Sequence, residues 1–519
     1  MQAQQVKITY SGNKAKVASS NKALVSASVH GADVELESRL TDQTLNVLVT
    51  GTSEEGSLMV KADEKVRIQL KNLTLTSKEG AALWLKTKKS VEIEAMKGTT
   101  NSLTVTACRD TAHHKSAVIW SKGKLHFTGK GTLNLLATGD GCKGINGKKD
   151  ITMEDLTLSV ITEGNNLGKK EGGWPGGPGG PGFPGGPEGP GFQGVPGPPM
   201  GPAPDFNFDQ LPDSVKAFFE KMRKQFEEGG GMPPYGGSGG PGFPGGPEFQ
   251  GGPEGPGFPP FGGGPFGPGM ESGDPDEEHH GAFKQRYVST TKGIKSRKQI
   301  RIKSGDIYVK TSSQGAEGIE GKEGIEIKGG KVRVDAIDDA LNANAPILVS
   351  GGSIIAESHC NDAVDVNMEG GFPMPFGPQT KDAAPLKPAI IIAAGKVYAW
   401  SHTGSPEEGL DCDFAPLAVD GGEIFTIGGG MGEMPSVPTQ QTAQQPTLLF
   451  VGLNLFKGDK VEIMEGDKAL LSLDVPFSFR NSASIITCPQ LQFGHSYTLR
   501  TNDEQRSFTL TDHFTVVRK

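Results

Sequence analysis

Six aspartates recur in three pairs through the second half of the chain. The pairs are Asp338 with Asp339, Asp362 with Asp365, and Asp411 with Asp413. Amide side chains accompany them at Asn342, Asn344 and Asn367. Because Ca²⁺ takes 6–8 oxygen ligands from carboxylates, amides and carbonyls, this pattern predicts a calcium site. The alternative is a solvated acidic surface on which Lys322 and Arg333 pair with part of the charge.

A second group of side chains could bind a polymer. It contains one tryptophan and five basic residues, namely Trp84, Lys86, Lys148, Lys295, Arg297 and Lys322. A tryptophan ring offers a flat apolar face on which a sugar ring can stack. A row of cations attracts an acidic chain. The alternative is that these lysines and this arginine are ordinary surface charges that keep the protein soluble.

All these residues lie in or beside a repeated phrase in which glycine or alanine precedes an aliphatic residue. The eight phrases are AALWLK from Ala81, SAVIWS from Ser116, KGINGK from Lys143, KGIKSR from Lys292, EGIEGK from Glu317, DALNAN from Asp339, DAVDVN from Asp362 and EGLDCD from Glu408. Alternate residues of a strand point to opposite faces. If the third residue of a phrase points inward, the fourth and sixth point outward. This parity places Trp84 and Ile119 outward and Trp120 inward.

The repeats also predict the fold. Each phrase is followed by two short runs with apolar residues at every second position and a tight turn between them, typical of half-buried strands. Ile302, Ile327 and Val349 occupy equivalent places at intervals of 25 and 22 residues. No helical pattern fills the gaps. The sequence therefore predicts an all-β solenoid, a parallel β-helix of about nine rungs. The glycine or alanine at the second position suits a crowded corner.

The phrases themselves resemble a known family. LKNLTLTSKEGAALWLKTKKSVEIEAMKGTTNSLT, SKGKLHFTGKGTLNLLATGDGCKGINGKKDITM and GIEGKEGIEIKGGKVRVDAIDDALNA are similar to stretches of bacterial carbohydrate-binding proteins. That family resembles pectate-lyase-like right-handed β-helices but lacks lyase chemistry. The resemblance implies a right-handed coil that binds acidic, pectin-like polysaccharide and is associated with calcium. It covers both repeat regions.

The calcium expectation carries over only to the later repeats. The acidic pair of the family motif is present as Asp338 and Asp339, and in part as Asn361 and Asp362. Earlier repeats have a lysine at the corresponding place, at Lys143 and Lys292. A lysine there argues against a bound cation.

Composition divides the chain into five parts. Repeats occupy 1–163 and 284–432 on either side of a Gly/Pro-rich insert at 164–283, a linker spans 433–445, and a small β domain or cap fills 446–519. The insert has too few large apolar side chains to fold alone, apart from a predicted amphipathic helix near 212–228. The insert could also bind a surface protein partner.

Bulk properties limit the partners and the location. The net charge of −8 argues against nucleic acid, and no apolar run reaches the length of a membrane span. The five cysteines are scattered and odd in number, so they imply no disulfide framework. The first residues, MQAQQVKITY, lack the basic and apolar segments of a signal peptide. This start suits either a cytosolic protein or a mature chain from which the signal peptide has been removed. We nevertheless expect an extracellular or cell-surface protein, because of the fold and the resemblance.

These observations favour non-catalytic binding of an acidic polysaccharide, with calcium as a possible cofactor. One alternative is a structural or adhesive surface protein that acts through the insert. The other is a polysaccharide lyase, which needs a base near the cation. Lys322 and Arg333 are the candidates for this base, because they lie close in sequence to the aspartates.

Overall fold

The computed structural model describes residues 6–108, 116–169, 287–367, 387–413, 415–430 and 435–518. The chain divides into two compact units, Met1–Phe206 with His279–Lys519, and Asn207–Glu278. The second unit lies outside the described residues, as does the helix predicted near 212–228. Described secondary structure consists of strands. The described part of the chain holds no helix with the length and apolar character of a membrane-spanning segment.

Strands before the insert begin with two antiparallel hairpins. They are β1 Val6–Ser11, β2 Lys14–Ser19, β3 Val25–His30, β4 Asp33–Ser38, β5 Leu45–Ser53, β6 Ser57–Ala62, β7 Val66–Ser77, β8 Leu83–Leu85, β9 Val91–Ala95, β10 Thr100–Val105, β11 Ala117–Ser121, β12 Leu125–Gly129, β13 Thr132–Ala137, β14 Lys143–Gly147, β15 Ile151–Met153, β16 Thr157–Thr162 and β17 Leu167–Lys169.

Strands after the insert continue the same pattern and end in a C-terminal region. They are β18 Tyr287–Ser289, β19 Ile294–Ser296, β20 Ile300–Ile302, β21 Asp306–Thr311, β22 Ile319–Gly321, β23 Ile325–Ile327, β24 Lys331–Ala336, β25 Leu341–Ala343, β26 Ile347–Ser358, β27 Val364–Val366, β28 Ile390–Ser401, β29 Leu410–Asp411, β30 Leu417–Val419, β31 Glu423–Ile427, β32 Pro438–Ala443, β33 Thr447–Leu455, β34 Lys460–Glu465, β35 Lys468–Asp474, β36 Phe479–Thr487, β37 Ser496–Arg500, β38 Gln505–Thr509 and β39 Phe514–Val517.

The strands form four sheets, of 22, 11, 4 and 2 strands. The 11-stranded sheet runs β29-β27-β25-β22-β19-β14-β11-β8-β6-β4-β3 and is parallel except for its terminal pair, β3 and β4. The phrases found in the sequence supply its strands from β8 to β29. Its inward residues share one apolar core with the larger sheet.

The predicted right-handed parallel β-helix, an open solenoid of about nine rungs, is wrong, although the all-β class is right. Most strands belong instead to one closed, largely parallel 22-stranded sheet. Long strands bend and stay in that sheet: β26 pairs with β23 and then with β24. Antiparallel strands join it at both ends, in the pairs β1–β2 and β31–β36.

The error has a physical reason. Buried and exposed residues alternate in the same way whether two runs are separate strands or one long strand that bends, so the sequence pattern does not distinguish the two cases. Within β26 the backbone turns at Gly352, where φ is +90°, and strand pairing resumes at the next residue. Glycine adopts this left-handed region without steric cost. Hydropathy records which side chains are buried but not whether the hydrogen-bonded ladder continues around a bend.

The small second position of the phrases has the expected cause. A Cβ on Gly293 would overlap the side chain of Val309 and the carbonyl of Gly318. A Cβ on Gly318 would overlap Val334 in the same way. The corner is therefore too crowded for a larger residue, as the repeats predicted.

The C-terminal region has its own apolar core, built on β33 and β36 and the four-stranded sheet β35-β34-β37-β38. Trp400 and Phe425 belong to this second core. They come from β28 and β31 of the large sheet, so the C-terminal region packs directly on that sheet. This contact places Phe477 beside His402, with ring centroids 3.7 Å apart.

Candidate functional site

The 11-stranded sheet aligns the repeated phrases side by side. Its third-position residues pair in register as Ile145, Ile294, Ile319, Leu341, Val364 and Leu410. Its fourth-position residues pair as Asn146, Lys295, Glu320, Asn342, Asp365 and Asp411. Adjacent strands lie about 4.8 Å apart. The predicted columns are thus confirmed from β14 to β29.

One phrase was aligned wrongly. In β11, Ile119 pairs with Leu83 and Ile145 of the inward column, and Trp120 pairs with Trp84 of the outward column. Ile119 therefore points inward and Trp120 outward, the reverse of the prediction. Trp120 is 6% exposed and packs with Trp84, Ala81 and Ala117. A slip of one residue exchanges every side chain between the two faces of a strand.

In the middle of the 11-stranded sheet, a buried lysine forms ion pairs with two buried glutamates. The Lys292 ammonium lies 2.7 Å from Glu317 Oε1 and 2.9 Å from Glu320 Oε2, and all three residues are at most 1% exposed. Burial opposes the charge on Lys292, but Glu317 and Glu320 outweigh it and raise its pKa. We call these three residues the lysine centre. Within it, the Lys292 ammonium supplies positive charge to both carboxylates.

The next strands present the same columns without a lysine. Asp339, Asp362 and Glu408 follow Glu317 at the first position of their phrases, while Asp365 and Asp411 follow Glu320 at the fourth. Oxygens of Asp362, Asp365 and Asp411 lie within 4.8 Å of one another. We call Asp339, Asp362, Asp365 and Asp411 the acidic cluster.

Hydrogen bonds organise this cluster. Asn342 Nδ2 donates to Asp339 Oδ2 at 2.8 Å and to Asp365 Oδ2 at 2.9 Å. Asn367 also donates to Asp365. The backbone N–H of Glu408 donates to Asp362 Oδ1 at 2.5 Å. Asp339 Oδ1 is buried and has no hydrogen-bond partner among the described residues.

The environment disfavours negative charge on every member of the cluster. Burial raises the pKa of Asp362 to about 10, with further contributions from Asp411 and Asp339. Burial and neighbouring carboxylates, chiefly Asp365 for Asp339 and Asp411 for Asp365, likewise raise the pKa of both groups well above the usual range. Burial raises the pKa of Asp411 as well. No described lysine, arginine or histidine forms an ion pair with these four residues.

The two remaining predicted ligands flank the cluster. Asp338 is 8% exposed and its charge contributes to the raised pKa of Asp339. Asp413 is exposed, and its backbone N–H donates to Asp411 Oδ1 at 2.7 Å. Burial and Asp411 together raise the pKa of Asp413 to about 6. The structure thus brings all six predicted aspartates to one end of the 11-stranded sheet.

The predicted polymer-binding residues fall into two groups. Trp84 and Lys86 lie together, with the Lys86 ammonium 3.8 Å from the centroid of the Trp84 ring. Trp84 also lines a cavity of about 720 Å³ with His30, Asp33 and Glu55. This cavity lies at the opposite end of the sheet from the acidic cluster.

The other group lies in the middle strands. Lys295 and Lys322 both form ion pairs with Glu320, and Lys295 is only 4% exposed. Lys148 and Arg297 occupy the sixth position of their phrases and are partly exposed. Basic side chains at the sixth position of the phrases are therefore accessible to a ligand. Side chains at the fourth position are buried in the middle strands.

Several features of the site were not predicted. Lys292, Glu317 and Glu320 were aligned in the repeats, but their burial as an ion-paired centre has no local sequence signal. Ser436, from outside the repeats, donates from Oγ to Asp411 Oδ1 at 3.3 Å.

A disulfide is also present, between Cys108 and Cys142 with Cα atoms 6.0 Å apart. The odd cysteine count gave no indication of it.

Comparison with known proteins agrees with part of the resemblance. Residues 30–172 and 279–367 match the family described as carbohydrate-binding domain-containing protein. The chain is also similar to a solved structure, the gadolinium derivative of the polysaccharide lyase-like protein from C. thermocellum. The aligned region covers 71% of this chain and 98% of the other chain. The two share 15% sequence identity at a TM-score of 0.35. No curated protein sequence matches the chain. The chain is thus similar to a carbohydrate-binding family on both sides of the insert.

Proposed function

We propose that the protein binds an acidic polysaccharide with the help of Ca²⁺ and does not cleave it. The observation that carries the proposal is the acidic cluster, four carboxylates brought together without a described cationic partner. The similarity to carbohydrate-binding domain-containing proteins supports the class of ligand.

The residues present fit a calcium ion. Ca²⁺ prefers carboxylate, amide and carbonyl oxygens, and the cluster offers carboxylate oxygens from four residues. Asp339 Oδ1 has no described hydrogen-bond partner. In the neighbouring lysine centre, the Lys292 ammonium neutralises the corresponding carboxylates. A divalent cation would do the same for the acidic cluster and would attract the carboxylates of a polymer.

The sixth-position column gives the polymer a continuous path. It runs from Lys86, which directly follows β8, through Lys148, Arg297 and Lys322 to the amides and carboxylates near β27. At about 4.8 Å per strand, the six steps from β8 to β27 span about 29 Å. An extended acidic chain could therefore contact the basic residues directly and reach the cation at the acidic end.

Binding without cleavage is favoured by the state of the two candidate bases. The Lys322 ammonium pairs with Glu320 and also lies 3.5 Å from Asn344 Oδ1. Arg333 lies in β24 of the larger sheet and pairs with Glu357 at 3.5 Å. Both side chains are thus engaged by carboxylates, so neither lies free beside the acidic cluster to act as the base of a lyase.

An extracellular or cell-surface location fits this role. Disulfides persist in oxidising compartments, and the Cys108–Cys142 bond is consistent with one. The adhesive role predicted for the insert concerns residues outside the described part of the chain and stays a prediction.

Affinity electrophoresis in gels containing polygalacturonate tests the proposal. We expect retardation in Ca²⁺ that falls at least tenfold in EDTA, and little retardation by neutral dextran. Arg297→Gln should weaken binding severalfold, because it removes a charge from the path. Arg301→Gln is the matched control, since Arg301 lies in β20 of the other sheet. Equal retardation by dextran, or equal loss in both variants, would rule out the proposed path.

A further inference from the structure

A second group of metal-ligating side chains lies away from the acidic cluster. Glu357 is the next-to-last residue of β26, His359 follows that strand, and His402 follows β28. Each offers a ligand atom, and these atoms lie within 4.8 Å of one another. We call these three residues the histidine cluster. All three are partly exposed, so an ion from solvent can reach them.

The parallel register of the large sheet creates this proximity. Glu357 pairs with Trp400, and Ser358 with Ser401, so the two histidines emerge side by side from adjacent strands. Their ring centroids are 4.5 Å apart. His402 Nε2 lies 3.0 Å from Glu357 Oε1, and His359 Nε2 lies 2.8 Å from Asp335 Oδ1.

We propose that Glu357, His359 and His402 bind a divalent transition-metal ion of the zinc class. Imidazole and carboxylate together suit Zn²⁺, whereas Ca²⁺ takes oxygen ligands. Zinc bonds of about 2.0–2.2 Å place tetrahedral ligand atoms roughly 3.4 Å apart. The ligand atoms lie within 4.8 Å of one another, so each pair has to approach by at most about 1.4 Å to reach this separation.

The surroundings orient the ligands. The Asp335 carboxylate is hydrogen-bonded to Nε2 of His359. Zinc-ligating histidines usually have a carboxylate partner of this kind on the nitrogen that does not bind the metal. Lys310 lies 2.7 Å from Asp335 Oδ2 and fixes that carboxylate in turn. Phe477 stacks on the His402 ring from the C-terminal region. The site therefore joins two strands of the large sheet at the place where the C-terminal region packs against them.

Arg333 is the main competitor for the metal, because its guanidinium lies 3.5 Å from Glu357 Oε2. His402 contacts the other oxygen, Glu357 Oε1. One carboxylate can thus serve both partners. The Arg333 side chain is also 55% exposed and can turn to solvent at little cost.

Calorimetric titration of Zn²⁺ into tag-free full-length protein tests the site. The chain has ten histidines, and His113, His114, His279 and His280 lie outside the described residues. All four are replaced by glutamine in the protein used, so that they contribute no binding. We expect one equivalent of Zn²⁺ to bind, and affinity to fall at least tenfold in both His359→Gln and His402→Gln. Co²⁺ should give the visible absorption of a tetrahedral site, and Zn²⁺ should abolish it.

Two controls separate this site from others. His495→Gln should bind zinc normally, because His495 is an exposed histidine paired with Glu465 in the C-terminal region. Asp365→Asn should also bind normally, since Asp365 belongs to the acidic cluster. No saturable zinc binding, or unchanged affinity in His402→Gln, would overturn the proposal. Loss in Asp365→Asn alone would assign the ion to the acidic cluster instead.

Discussion

Replacing Lys292 by methionine is expected to lower the free energy of unfolding by about 3–5 kcal/mol at neutral pH. The side chain is fully buried and its ammonium pairs with both Glu317 and Glu320. Methionine fills the same space but leaves Glu317 without any described cationic partner. Glu320 keeps Lys295 and Lys322. Urea unfolding measures the change.

The matched control is Lys298→Met, six residues away. Lys298 pairs with Glu323, but both side chains are about half exposed, so this change should cost less than about 1 kcal/mol. The double variant Lys292→Met with Glu317→Gln should recover much of the loss, since it removes the stranded charge. Equal costs for the two lysine variants would contradict the description of a buried ion-paired centre.

The calcium-free protein is expected to lose stability as pH rises from about 6 to 9. The unfolded pKa of aspartate is about 3.9, and the acidic cluster raises the folded pKa of Asp362 to about 10. Between these values the folded state holds a proton that the unfolded state has released. Asp362 therefore removes about 1.4 kcal/mol of stability per pH unit over this range. Unfolding in EDTA at several pH values measures this slope.

Calcium should reverse the effect, because it binds the ionised carboxylates. In saturating Ca²⁺ we expect stability to be maintained or to increase over the same pH range. Asp365→Asn should flatten the slope in EDTA and reduce the gain from Ca²⁺, whereas Asp474→Asn, at a site 85% exposed, should change neither. If the free energy of unfolding of the unmodified protein in EDTA did not change with pH, the carboxyl pKa values of the cluster would not be raised by folding.

The inward and outward columns of the 11-stranded sheet were predictable because the residues of each phrase alone indicate which side chains point inward. Glycine or alanine before an aliphatic residue marks the crowded corner, and parity then assigns Asp365 and Asp411 to the outward side. Strands of similar length and spacing then bring together residues that are 46 positions apart, such as Asp365 and Asp411. Repetition thus gave the proximity of the acidic residues without any long-range information.

Features that depend on more than one phrase were not predictable. The phrase of β11 carries apolar residues at four consecutive positions from Ala117 to Trp120, so its parity was ambiguous and Trp120 was placed inward. The bends that keep β26 within one sheet depend on backbone conformation, which hydropathy does not record. His359 and His402 lie outside the phrases and meet only because β26 and β28 are neighbours.

Calorimetric titration of Ca²⁺ into EDTA-treated protein, followed by polygalacturonate, tests the central claim most directly. We expect saturable calcium binding, and polygalacturonate binding only to the calcium-loaded protein. Asp339→Ala with Asp365→Ala should lose both responses. Polygalacturonate binding of equal affinity with and without Ca²⁺, or calcium binding that survives in the double variant, would contradict a cation-assisted site at the acidic cluster.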